Sequence, residues 1–203
     1  MTAAAKLDLY KAHKAEYVTP KSPVLLDTNP ASYLAVEGQG EPGGAVFQST
    51  IGSLYSVAFT IKMAKKFAGR DYTVCKLEGF WWAGRKKREL ATRPPSEWNW
   101  RLLIRVPTFI RQKDLDLAIE ALTEKGKGPG VSEVRLETLE EGRCVQMLHI
   151  GPYPRVPETI ALMKQFAEEN GLSFHGLHHE IYLSDPRRVA EAKLRTILRH
   201  PVR

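Results

Sequence analysis

This 203-residue sequence predicts an α+β fold in which two pseudo-twofold halves, each with an antiparallel sheet and helices, meet at a ligand groove. Three observations carry that prediction. Several short stretches alternate apolar and polar residues or concentrate aromatics, as strands do, and only a few recur at three and four like amphipathic helices. The breaker run Gly126-Lys127-Gly128-Pro129-Gly130 divides the chain, and the elements on its two sides follow one strand–strand–helix–strand order. Sparse identities support the repeat: Lys65-Lys66-Phe67-Ala68 parallels Lys164-Gln165-Phe166-Ala167, and residues 77–82 parallel 177–182. Paired units of this kind leave a groove at their junction, a common place for ligands.

Residues 1–23 are mostly polar and form a lead-in arm closed by Pro20 and Pro23. Val24-Leu25-Leu26 and Ser32-Tyr33-Leu34-Ala35-Val36 flank Thr28-Asn29-Pro30, which predicts a hairpin. After a glycine-rich loop, Phe47, Ile51, Leu54, Ala58 and Ile61 mark a long buried helix that Gly69 stops. Residues 72–82 form an aromatic strand ending in Glu78-Gly79-Phe80-Trp81-Trp82. Trp98, Trp100, Leu102, Ile104 and Val106 alternate with Asn99, Arg101, Leu103 and Arg105, a half-buried strand ended by Pro107. Leu115, Ala118, Ile119 and Leu122 give a short amphipathic helix.

In the second half, residues 134–139 and 144–150 flank Glu140-Glu141-Gly142, a second hairpin signal. Gly151-Pro152-Tyr153-Pro154 leads into a helix with Ile160, Met163, Phe166 and Ala167 inward, ending at Gly171. A strand follows to Leu183. Ser184-Asp185-Pro186 then carries a helix-start signal, and a basic helix is expected up to His200-Pro201. The expected organisation is one domain over residues 1–203, with modules at 24–125 and 131–203.

The composition, 43% hydrophobic and 26% charged, excludes disordered, collagen-like and coiled-coil classes. No apolar run reaches the roughly 18 to 20 residues of a membrane helix, and the first residues lack a signal-peptide core. Cys75 and Cys144 provide no disulfide framework, so a reduced, cytoplasmic setting is expected. The net charge of +7 permits nucleic-acid binding, but the clusters do not argue for it. Neither Arg85-Lys86-Lys87-Arg88 nor the basic stretch from Arg187 to Arg199 carries a nucleic-acid-binding signature, so both are expected to be solvated surface. No nucleic-acid or membrane partner is expected.

His178-His179-Glu180-Ile181-Tyr182-Leu183 is the most informative stretch. On a strand, His178, Glu180 and Tyr182 share one face and His179, Ile181 and Leu183 the other. The apolar set suits packing under helices, which leaves an imidazole, a carboxylate and a phenol on a groove face or a solvated one. A metal site is disfavoured because the adjacent histidines point apart and His-Glu-x-x-His spacing is absent. In the first half the same face is expected to carry Phe80 and Trp82, with Trp81 among the helices beside Ile181. Tyr55, Phe59 and Tyr153 would complete an aromatic enclosure around one acid, suited to planar hydrophobic or cationic small molecules. No nucleophile elbow, phosphate loop or dinucleotide fingerprint is present.

Taken together, Glu78-Gly79-Phe80-Trp81-Trp82, Trp98-Asn99-Trp100, Ile104-Arg105-Val106-Pro107, His149-Ile150-Gly151-Pro152-Tyr153 and residues 178–188 resemble the GyrI-like (DNA gyrase inhibitory protein-like) small-molecule-binding family. The resemblance spans nearly the whole chain. It implies two strand–helix–strand–strand modules with the ligand groove between them, and Glu180 matches the acidic residue that meets cationic aromatic drugs in the family's multidrug sensors. No DNA-binding module accompanies it, so the regulator role does not carry over. The Trp-Trp and His-His-Glu-Ile-Tyr segments are similar to those of stand-alone cyclopropanoid cyclopropyl hydrolases. Those proteins detoxify DNA-alkylating natural products of the yatakemycin type by opening their cyclopropane ring.

The resemblance implies a cofactor-free hydrolase with Glu180 as the water-activating base and Tyr153 as the hydrogen-bond donor, Tyr55 and Tyr182 being substitutes for that donor. The substrate-binding set is then Tyr55, Phe59, Phe80, Trp82, His178 and Tyr182. Two other readings stand beside it. One is a protein that sequesters drugs without chemistry, in the same pocket. The other is a gyrase inhibitor, as the family's name implies, for which the sequence offers only surface charge.

Overall fold

A computed structural model describes residues 6–84 and 93–203, so the Arg85–Arg88 cluster lies outside the described residues. The chain forms α1 (Leu9–Ala12), β1 (Val24–Asp27), β2 (Ala31–Gln39), α2 (Ala45–Phe67), β3 (Glu78–Trp82) and β4 (Asn99–Val106). It continues with α3 (Gln112–Glu124), β5 (Arg135–Leu139), β6 (Arg143–Ile150), α4 (Val156–Glu169), β7 (His178–Tyr182) and β8 (Arg195–Pro201). Among the described residues the strands make one open antiparallel sheet of eight, ordered β1-β6-β8-β7-β3-β4-β2-β5. The units β2-α2-β3-β4 and β6-α4-β7-β8 are laid out in mirrored order about the central β3/β7 pair. This is the expected strand–helix–strand–strand repeat, and the seam of the two halves is a single pair of paired strands.

Both predicted hairpins are absent. β1 pairs with β6 (Leu25↔Val145) and β5 pairs with β2 (Leu34↔Leu136), at opposite edges of the sheet. The turn residues do make tight links, since only Thr28-Asn29-Pro30 separates β1 from β2 and only Glu140-Glu141-Gly142 separates β5 from β6. What turn chemistry cannot fix is which strand each arm pairs with once four strands meet; long-range packing decides that. The two links touch: the Thr28 amide and hydroxyl both donate to the Gly142 carbonyl, at 2.9 and 3.1 Å. A link of three residues reaches at most about 14 Å. The ends of the sheet are therefore drawn together, and the sheet is strongly curled.

The predicted basic helix is also overturned, because residues 195–201 are strand β8. The Asp185 carboxylate accepts from the Arg187 amide at 3.0 Å and from its guanidinium, closing a local turn instead of starting a helix. β8 runs between β6 and β7 with both faces covered, so Thr196, Ile197, Leu198 and Arg199 are all buried and burial does not alternate along it. The other predicted helices are present. α2 ends as expected, with Gly69 at φ +77° and the Arg70 amide closing back on Lys65 O at 2.8 Å.

All three long helices lie on one face of the sheet. α2 and α3 cover Leu34, Val36, Trp100, Leu102 and Ile104, while α4 covers Val145, Met147 and Leu198. Strand-to-strand register puts Trp81, Gly79, Glu180 and His178 on this same face. The close approach of β2 to this layer needs Gly38, where a Cβ would fall 2.1 Å from the Trp100 ring. No helix among the described residues is long and apolar enough to cross a membrane.

The lead-in arm crosses the other face. Tyr17 packs on Ile181 and Ile197, and Glu16 is buried with it. There Arg105 Nη1 meets Glu16 at 2.7 Å and donates to the Tyr17 hydroxyl at 3.1 Å, which donates to Glu78 at 3.2 Å. His179 joins Glu141 (2.9 Å) and Glu78 (3.1 Å), and Arg199 joins Glu141 (3.1 Å) and Gln146 (2.8 Å). A cavity of about 10 Å³ beside Glu141, His179 and Arg199 is at the lower limit for one water.

Candidate small-molecule groove

The site is built on the seam. α2 packs on β2 and β4 and α4 on β6, which leaves the β3/β7 pair between them as the floor of a groove. In that floor Gly79 lies opposite Glu180, and Trp81 opposite His178. The helix-facing side of the floor therefore presents Trp81, His178, Glu180 and Tyr182. On α2, the Tyr55 and Phe59 rings stack 6.1 Å apart, and Phe59 is 51% exposed. Tyr153, 36% exposed, stands beyond Tyr182 with its ring edge-on at 6.0 Å.

Glu180 is held by one hydrogen bond and flanked by a phenol. His178 Nε2 lies 3.0 Å from its Oε1, and Tyr182 lies near enough for the same carboxylate to raise its phenol. Tyr182 is locked in turn by Trp81, whose indole N–H donates to the phenol oxygen at 2.8 Å. That hydrogen bond crosses β3 over Gly79. A Cβ there would sit 3.2 Å from Trp81 Nε1 and 3.3 Å from the Tyr182 oxygen, which only glycine leaves room for without displacement. The Glu180 side chain remains 12% exposed toward the groove.

Tyr153 is placed by a separate device. Its turn, Gly151-Pro152-Tyr153, needs a left-handed residue at its head, and Gly151 has φ +133°. His149 pins the turn to α4: Nε2 donates to Pro152 O at 3.3 Å and Nδ1 accepts from the Thr159 hydroxyl at 2.8 Å. The carbonyl can only accept, which assigns the proton to Nε2. Burial, then the carboxylates of Glu180 and Asp185, push the Tyr153 phenol up to about 12. Burial and then Glu180 hold Tyr182 well above the ordinary phenol value, and burial also raises Tyr55. All three phenols stay protonated donors near neutrality.

Among the sequence-predicted residues, His178, Glu180 and Tyr182 share the helix-facing side of the seam, Tyr153 lies against Tyr182, and Tyr55 stacks with Phe59 on α2. The structure does not bring Phe80 and Trp82 to that side. Phe80 faces His179 across the seam, rings 4.4 Å apart, and packs with Tyr33, Leu103 and Trp82 on the opposite face. The expected register was one residue out. The helices lie on the Glu180 face, not on the Ile181 face, and Trp81 belongs to the groove floor while also packing on Phe47 at 5.6 Å. His178 is 8% exposed and sits beneath Glu180 rather than open to a ligand. Gly79, Trp81 and His149 are the site residues that periodicity missed.

Groove fluorescence tests this register. A bound planar ligand is expected to quench Trp81, so Trp81→Phe should abolish most ligand-induced quenching and Trp82→Phe should leave it. The reverse result would place Trp82 in the groove.

An aromatic groove with one carboxylate at the seam of two repeated modules is the architecture of a small-molecule-binding domain. The model of the GyrI-like small molecule binding domain matches residues 23–203, and the chain belongs to that family. It is similar to an uncharacterized conserved protein from Listeria innocua at 38% identity, covering 98% of this chain and all of the other (100%) with a TM-score of 0.90. A hydrolase from Listeria innocua is similar at 37% identity over 98% of this chain and 100% of that one, with a TM-score of 0.87. The C-terminal domain of EcmrR, at 12% identity over 90% and 97% of the two chains and a TM-score of 0.57, shares the fold. No protein of curated function matches the sequence.

Proposed function

We propose that this protein hydrolyses planar, electrophilic small molecules in the seam groove, opening the activated cyclopropane ring of DNA-alkylating natural products of the yatakemycin type and so detoxifying them. The observation that carries this reading is the Glu180 carboxylate, fixed by His178 at 3.0 Å beside Tyr182 and Tyr153; in this reading Tyr55, Phe59 and Tyr153 wall its groove. The hydrolase from Listeria innocua, 37% identical over the full length of that protein, supports the reaction class.

The chemistry follows from these groups. A water held by Glu180 attacks the methylene carbon of the three-membered ring as its proton passes to the carboxylate. The ring C–C bond breaks, and its electron pair moves through the conjugated system onto the carbonyl oxygen. Tyr153 hydrogen-bonds that oxygen as it becomes a phenolate; a proton from solvent then completes the phenol, and Glu180 returns the proton it took to solvent. The net change is addition of one water. Strain in the substrate supplies much of the driving force, and the aromatic walls hold the planar drug while excluding bulk water.

Incubating the protein with a cyclopropyl-indole drug and following it by mass spectrometry tests this. The expected product is the drug plus one water, formed catalytically and faster than in buffer. Stoichiometric retention of unchanged drug would show sequestration instead.

A further inference from the structure

We infer that Glu180 is oriented for its work by a clamp reaching across the seam, with His178 as the positioning residue on one side and the Trp81–Tyr182 pair on the other. The inference deepens the proposed function and rests on Glu180 acting as the groove's working carboxylate.

The geometry assigns each proton. His178 has one partner, Glu180 Oε1 at 3.0 Å through Nε2, while its Nδ1 is buried without any hydrogen-bond partner. A hydrogen on Nδ1 of the neutral ring would be a buried donor with no acceptor, the costlier kind of orphan, whereas an unpaired lone pair there costs less. The neutral ring therefore carries its proton on Nε2 and donates it to the carboxylate. The ring is buried, 8% exposed, with His200 at 6.2 Å, itself stacked on Phe174 at 4.0 Å.

From the other half of the molecule, Trp81 donates to the Tyr182 oxygen at 2.8 Å and fixes the phenol beside the carboxylate. His178 thus sets Glu180 by a direct hydrogen bond, and the Tyr182 phenol, held by a residue of the opposite module, bounds it on the other side. A carboxylate on a flexible two-carbon stem would otherwise sample rotamers that miss the water. Misplacing a reacting group by about 1 Å costs on the order of a hundredfold in rate.

Glutamine can place an N–H where histidine has Nε2–H, whereas phenylalanine cannot and asparagine is too short. His178→Gln is therefore expected to keep kcat within a few-fold. His178→Phe and His178→Asn should lose roughly ten- to a hundredfold in kcat at nearly unchanged KM, since the walls that bind the drug are untouched. Circular dichroism and melting temperature confirm that each variant is folded, and the Gln/Asn comparison stands if the Phe variant is not.

Equal kcat in His178→Gln and His178→Asn, or a loss expressed only in KM, would overturn the clamp. If the parent protein does not hydrolyse the drug at all, the hydrolase reading fails and binding of ethidium, a planar aromatic cation, decides the clamp instead. Weaker ethidium binding in His178→Asn but not His178→Gln supports it, and identical binding refutes it.

Discussion

Glu180→Gln is expected to lower single-turnover hydrolysis by about 10²- to 10⁴-fold, the usual cost of losing a positioned general base. The amide keeps the shape of the carboxylate. Its oxygen can still accept from His178 Nε2, so that buried donor keeps its partner. Affinity for a neutral planar drug should therefore change little, because Tyr55, Phe59 and Tyr153 supply the contact area. A planar cation should bind the variant more weakly, since it loses its only groove-floor anion. At 4 Å and an effective dielectric near 20, that Coulomb attraction is about 4 kcal/mol before desolvation is charged against it. The two measurements separate catalysis from charge pairing. Hydrolysis at the parent rate by Glu180→Gln would mean that another group activates the water.

How much of this site was legible in the sequence depends on one register. Strand alternation correctly put His178, Glu180 and Tyr182 together, because that rule needs only the strand itself. Pairing β3 against β7 needs a second piece of information, the residue that lies opposite Glu180. The aromatic weight of Phe80 and Trp82 argued for the groove, yet the residue opposite is Gly79, which puts Trp81 on the floor. The glycine is the missed signal. A residue with no side chain in an aromatic strand marks a close crossing, here the Trp81–Tyr182 hydrogen bond.

The fold shows the same division. Local signals found the helices and their stops at Gly69 and Gly171, both with positive φ. They failed where partners are chosen at long range, in the exchanged edge strands β1 and β5 and in β8, whose two covered faces erase its alternation. The arm read as polar and peripheral carries Glu16 and Tyr17 into the core of the opposite face. Its charges were no guide to exposure, because Arg105 waits for Glu16 there. Buried ion pairs are invisible to hydropathy until both partners are placed.

That buried network gives the largest expected effect on stability. His179 is fully enclosed between Glu141 at 2.9 Å and Glu78 at 3.1 Å, with the Phe80 ring against it and Arg199 sharing Glu141. Arg105, Glu16, Tyr17 and Tyr33 close the rest of its surroundings. Burial alone pushes its imidazole down, but the carboxylates of Glu141 and Glu78 outweigh burial and hold it up at about 9. Glu141 is shifted the other way: burial raises it, and His179 and Arg199 bring it down to about 2.

The signs follow from the unfolded values. Below pH 6.5 the histidine is protonated in both states and its contribution is complete; it declines as pH rises and is lost through about 9. The Glu141 contribution is complete above 4.5 and lost as pH falls toward about 2. Melting temperature should therefore be highest between these limits and fall on the alkaline side, by an amount on the order of 3 kcal/mol in stability. His179→Leu removes the cation between two buried carboxylates, leaving Glu141 to Arg199 and Glu78 to the Tyr17 hydroxyl. It is expected to cost about 3 to 5 kcal/mol near pH 6, roughly 10 °C in Tm for a chain of this size, and to flatten the alkaline limb. Thermal melts of both proteins from pH 5 to 10 check this, and a parent Tm that stays level across the alkaline range would show that His179 is not charged in the folded protein.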